Sequence, residues 1–88
     1  MTPQEIKLLI ESGIEGAEAI VEGDDGTHFE SIVISDEFEG LSLVKKHQLV
    51  YKTLGDKMKA EIHALSIRPL TRAEWEENKR NNSGLNVL

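Results

Sequence analysis

Residues 61–71 read EIHALSIRPLT, and what they do decides the fold. Ile62, Leu65 and Ile67 mark a short buried strand, Ala64 to Arg68, closed by Pro69, with His63 at its mouth. The segment before it, from Ser35, is long enough for a crossover. A strand reached through such a link can lie parallel to the one before the link, and parallel neighbours start at the same end of a sheet.

Working back from that stretch, the periodicity changes twice. Leu43, Val44, His47, Val50, Tyr51 and Leu54 follow i, i+3, i+4, i+7 spacing, which predicts a helix with one apolar stripe, stopped by Gly55. Met58 and Ile62 add a further helical turn or two. Upstream, Ala17 to Glu22 and His28 to Ser35 are strand-like and are separated by Gly23-Asp24-Asp25-Gly26-Thr27, a hairpin with an acidic tip. Thr2, Pro3 and Glu5 supply an N-cap, a first-turn proline and a capping-box acid for an opening helix that Gly13 ends. Thr71 and Glu74 repeat the capping box for a closing helix that carries Trp75. The predicted order is α-β-β-α-α-β-α, an α+β domain over residues 1–80, with 81–88 as a flexible C-terminal tail.

Composition narrows the chemistry. Eighty-eight residues suffice for one modest core but not for a cleft between two domains. With no Cys, the chain has no disulfide framework, no thiolate nucleophile and no Cys-only metal site, so its own metal ligands must be His, Asp or Glu. The first residues resemble no signal peptide and no apolar run approaches a membrane span, so the expected location is cytoplasmic, with no membrane partner. Residues 1–40 carry eleven acids against Lys7 alone, a balance of −10, whereas residues 41–72 carry seven bases against two acids, a balance of +5. One half is acidic and the other basic; the basic half is either a solvated face or a surface for an anionic partner.

Three histidines are candidates for site chemistry. Taken alone, His63 reads as a half-buried structural imidazole on the same strand face as Leu65 and Ile67, and His28 reads as a hairpin residue. If their strands are parallel neighbours about 4.8 Å apart, however, both stand at one sheet edge and could converge on a metal. Two ligands do not close a site, so Asp24, Asp25 or a partner must complete it. His47, on the helical stripe, reads as structural. Ser35, Ser42 and Ser66 lack any context supplying a base and an oxyanion hole, the acids Asp36, Glu37 and Glu39 read as a hydrated loop, and no phosphate-binding glycine motif is present, so no enzyme is expected.

The run SDEFEGLSLVKKHQLVYKTLGDKMKAEIHALSIRPLT, followed by Glu74-Trp75, resembles the BolA family. The resemblance rests on Phe38-x-Gly40-x-Ser42, on Lys46-His47 with Leu49 and Val50, and on Ile62-His63-Ala64-Leu65-Ser66-Ile67. With GDDGTHF at 23–29 it is most similar to the IbaG-like branch of bacterial BolA proteins. The resemblance implies a class II KH-like fold, a three-stranded mixed sheet with helices packed on one face. It also implies a non-enzymatic adaptor in iron-sulfur cluster assembly or trafficking, sharing a bridging 2Fe-2S cluster with a monothiol glutaredoxin and its bound glutathione. No cofactor is expected in the isolated protein. Carried over by position, His63 is the signature ligand and His28 the second, with Asp25 or water as competitors. The family is also described in stress response and transcription regulation, which makes DNA an alternative partner through Lys45, Lys46, Lys52 and Lys59. The Gly55-Asp56-Lys57-Met58 turn departs from the GxxG loop of RNA-binding KH domains. A second copy of the chain is a further candidate partner.

Overall fold

The structure, a computed structural model, describes residues 1–60 and 64–87, with side chains described as far as 58 and from 64 to 80. Helix α1 (Pro3–Gly13) begins at the expected capping box: Thr2 Oγ1 accepts from the Glu5 amide at 3.2 Å, and Glu5 accepts from the Thr2 amide at 3.1 Å. Strands β1 (Glu18–Glu22) and β2 (His28–Ile34) form an antiparallel hairpin. A 3₁₀ turn (Asp36–Phe38), helix α2 (Leu43–Leu54) and helix α3 (Lys57–Ala60) lead to β3 (Ala64–Leu70), and helix α4 (Arg72–Val87) follows. The backbone of α4 takes in most of the stretch from 81 that sequence alone leaves as a tail.

Sheet order is β1-β2-β3, with β2 and β3 parallel and His28 opposite Ala64. The parallel pairing on which the sequence-based geometry depends is therefore present. β3 does not close at Pro69 but runs on to Leu70. Ala64 N and Leu70 O both bond toward β2 (Ala64 N to Thr27 O, Ser35 N to Leu70 O), so alternation turns the backbone of Leu65, Ile67 and Pro69 outward. On this edge strand the missing N–H of Pro69 faces away from the ladder and costs no hydrogen bond.

The core lies between one sheet face and helices α1 and α2. Ile6, Ile10 and Ile14 meet Phe29, Val33, Leu65 and Ile67 of the sheet, Phe38 of the 3₁₀ turn, and Val50 and Leu54 of α2. Each fully buried side chain of this size contributes about 1.5–3 kcal/mol, well above the roughly 0–1 kcal/mol of a surface pair such as Arg72–Glu18. Gly13 lets α1 and α2 approach closely, since a Cβ there would stand 2.6 Å from Thr53 Cγ2.

Two expectations are revised. Only Val50 and Leu54 of the predicted α2 stripe are buried, while Leu43, Val44 and Tyr51 are exposed. The buried face is rotated toward Lys46, Leu49 and Thr53, because the nearby Gly13 and Thr53 set how α2 lies against α1. The acids after β2 are not merely a hydrated loop: Ser35 Oγ caps the 3₁₀ turn by accepting from the Glu37 amide, and Asp36 accepts from the Arg72 amide.

The two outer strands are handled differently. The outward amide and carbonyl of Ala19 on β1 are taken by α1, with Glu11 Oε2 accepting from Ala19 N at 2.9 Å and Lys7 Nζ donating to Ala19 O at 2.9 Å. Lys7 and Glu11 also pair at 2.6 Å, so the sole base of the acidic half closes a sheet edge that would otherwise invite strand addition.

Candidate functional site

The β1–β2 tip is built around Asp25. Its Oδ1 accepts from the amides of Thr27 at 2.9 Å and His28 at 2.8 Å, while Oδ2 lies 2.8 Å from His28 Nδ1. These bonds hold the Asp25 carboxyl well below the usual carboxylate range, the two backbone amides contributing ahead of the contact with the His28 ring. Gly26 adopts φ +77° inside this turn. Gly23 admits the returning strand, since a Cβ there would lie 2.6 Å from His28 O and 2.7 Å from Phe29 Cδ1.

His28 starts β2 at the sheet end, its side chain 68% exposed. A carboxylate only accepts, so the proton between Asp25 and the ring belongs to His28 Nδ1, and Thr27 Oγ1 lies 3.0 Å from the same nitrogen. In the neutral ring this leaves the Nε2 lone pair available. Carboxylate-oriented imidazole is the usual state of a metal-ligating histidine.

The surroundings are acidic. Glu22, Gly23, Asp24, His28 and Glu30 line an open depression. Glu22 and Glu30 are directly opposed across the hairpin, an arrangement that costs stability rather than supplying it. Among the described residues no three His, Cys, Asp or Glu side chains are placed to hold a metal ion together. His28 thus fits the role of one open-site ligand. It does not form a closed site, and with no Cys in the chain any thiolate must come from elsewhere.

The other expected site residues fall as follows. His63 lies outside the described residues; in sequence it directly precedes Ala64, the partner of His28 in the sheet. Asp25 stands against His28 with both oxygens accepting hydrogen bonds from the turn and the ring. Asp24 stays beside the depression. His47 is half-buried on α2, where Nδ1 donates to Leu43 O at 2.9 Å and the ring stands 6.4 Å from Tyr51, in keeping with a structural role. Lys45 and Lys52 are exposed, and Lys46 is half-buried and acts electrostatically on Glu74 of α4. Lys59 falls in α3 with its side chain outside the described part.

Sequence alone did not find the orienting role of Asp25, although Asp-x-x-His in a glycine-flanked turn is a usable signal. It also missed the apolar surface of Leu43, Val44 and Tyr51, for which helical spacing gives no warning. No described helix is long and apolar enough to cross a membrane.

The chain and its fold have counterparts among known proteins. Residues 1–74 match the family model described as BolA-like protein. Acid stress protein IbaG of Escherichia coli K12 is 37% identical over 83 residues, covering 93% of this chain and 98% of that protein. Human BolA-like protein 1 is 38% identical over 80 residues, covering 91% of this chain but 56% of the relative, so the chain spans little more than half the length of such mammalian relatives. Among solved structures, a BolA homologue from Coxiella burnetii superposes with TM-score 0.79 at 43% identity, covering 86% of this chain and 97% of the other.

Proposed function

Because this chain belongs to the BolA-like protein family, we propose that it is a non-enzymatic adaptor that shares a 2Fe-2S cluster with a monothiol glutaredoxin, through His63 and His28. The observation that carries this reading is the parallel register of β2 and β3, with His28 opposite Ala64 and His63 next to Ala64 in sequence. Neighbouring strands are about 4.8 Å apart, a spacing that two imidazoles can bridge onto one group. His28 belongs to the open face with Glu30, whereas Leu65 and Ile67 are buried. A cluster held by His28 is therefore on the open side of the sheet end, outside the core.

The exposure of His28 supports a ligand completed by a partner. Without Cys, the chain offers no thiolate, and the partner's thiolate and glutathione supply sulfur. Bound there, the cluster supplies one-electron chemistry and a transferable iron-sulfur unit, with a potential raised by imidazole in place of thiolate. The chain's own part is to hold the His28 ring by its Nδ1 with Nε2 facing solvent at the sheet end, while the core keeps β2 and β3 in register.

Mixing the chain with cluster-loaded monothiol glutaredoxin and glutathione is expected to change the visible absorption and circular dichroism of the cluster. His63→Ala should diminish and alter that change, and a change identical to wild type in this variant would sink the proposal. A second reading, DNA contact through α2, draws on the exposed Lys45 and Lys52. It is weaker, because the exposed surface of that helix also presents Leu43 and Val44, which offer nothing to a phosphate backbone. If DNA is bound there, Lys45→Glu with Lys46→Glu should lower affinity and flatten its salt dependence.

A further inference from the structure

We infer that Asp25 is the positioning residue of the site: it fixes the tautomer and ring direction of His28 so that Nε2 is the atom offered to a metal. This inference rests on the proposed ligand role of His28 and adds a residue to it. The tip is tied by a single carboxylate with a division of labour, Oδ1 taking the amides of Thr27 and His28 and Oδ2 taking the ring. The amide bonds lock the turn that sets where β2 begins, and the ring bond locks the side chain that projects from it. Without Oδ2, the exposed ring is left with the contact of Nδ1 to Thr27 Oγ1, a hydroxyl that donates as readily as it accepts, and free histidine side chains favour the Nε2–H form. Asp25 reverses that preference at the one nitrogen a metal would need.

Asparagine separates the two functions of the carboxylate. In Asp25→Asn the remaining oxygen can still accept from the Thr27 and His28 amides, which keeps the turn. That turns the side-chain NH₂ toward His28 Nδ1. An NH₂ donates, so Nδ1 must accept, and the ring proton moves to Nε2. The substitution is nearly isosteric and leaves the backbone bonds in place, but it blocks the ligating atom.

The test uses the full-length, metal-free chain with ¹⁵N-labelled histidine, at a pH where the ring is neutral, and reads long-range ¹H–¹⁵N correlations of His28. The wild type should give the Nδ1–H form and Asp25→Asn the Nε2–H form, with the Thr27 and His28 amide signals near their original positions. If Asp25→Asn disturbs the turn, Asp25→Ser provides the second reading: its shorter side chain cannot reach the ring, which leaves Nδ1 to Thr27 Oγ1, and the share of the Nδ1–H form should fall below that of wild type. A wild-type ring in the Nε2–H form, or a tautomer unchanged in both variants, overturns the role of Asp25 whatever His28 does. In a second measurement, cluster-loaded glutaredoxin with glutathione is titrated with wild type and Asp25→Asn, and a loss of about 10- to 100-fold in affinity is expected. An unchanged affinity beside a damaging His28→Ala refutes Asp25 alone, whereas a His28→Ala variant that binds normally refutes the ligand reading and leaves the tautomer result standing.

Discussion

The hairpin tip and helix α2 each hold a histidine whose Nδ1 is occupied, yet the two regions are built by different physics. On α2, His47 donates to the Leu43 carbonyl of its own helix, and the helix is anchored by the burial of Val50 and Leu54. At the tip, His28 is held by a carboxylate three residues away, on a turn that buries little and depends on a glycine and hydrogen bonds. Burial secures the helix and makes its histidine ordinary; at the tip, a polar clamp around an exposed ring leaves a nitrogen available for chemistry. The presence of histidine distinguishes nothing here. What orients it, and what lies open beside it, does.

The contrast can be strained from the helical side first. Leu54→Ala empties a core position and should cost about 2–5 kcal/mol in denaturant unfolding, while Val44→Ala on the exposed side of the same helix should stay within roughly 0.5 kcal/mol. Equal costs would mean that α2 is rotated relative to the arrangement described. At the tip, Gly23→Ala forces a Cβ against His28 O and the Phe29 ring, and about 1–3 kcal/mol should be lost along with displaced His28 amide and Phe29 ring resonances. A neutral result there would remove the close approach that frames His28.

A smaller effect comes from the clamp on the β1 edge. The hydrogen bond from Lys7, and then that from the Ala19 amide, lower the pKa of Glu11. A depressed carboxylate contributes stability that is fully present above the ordinary carboxylate range and is lost as pH falls through its lowered folded value. Glu11→Gln should therefore cost about 1 kcal/mol at neutral pH, and the gap to wild type should close in acid. Urea unfolding across that pH range is the check, and a gap that persists at the acid end would assign the effect to shape rather than charge.

Much of this architecture could be read before any coordinates, because its signals are local. Thr2 with Glu5 and Thr71 with Glu74 both form the boxes their spacing predicts, and the glycine-rich tip is a hairpin turn. The length of the link between the second and third strands allowed a parallel pairing without requiring it, and the register of His28 with Ala64 is that pairing. What escaped is what depends on neighbours far along the chain. The helical spacing of α2 allows two overlapping apolar faces, and the packing of Val50 and Leu54 into the core, with Thr53 close against Gly13, selects between them. Pro69 reads as a stop until β3 is known to be an edge strand whose alternate backbone groups face outward. Asp25 reads as a rival ligand because spacing reports proximity to His28 but not the hydrogen bonds that join its carboxylate to the turn and the ring.

The ligand pair itself is tested most directly by pulsed electron paramagnetic resonance. The chain, labelled with ¹⁵N-histidine, is combined with unlabelled cluster-loaded monothiol glutaredoxin and glutathione, and the cluster is then reduced by one electron. Two strongly coupled ¹⁵N nuclei from this chain are expected, falling to one in His28→Ala and in His63→Ala. A reduced cluster with no strongly coupled ¹⁵N from this chain would contradict the account.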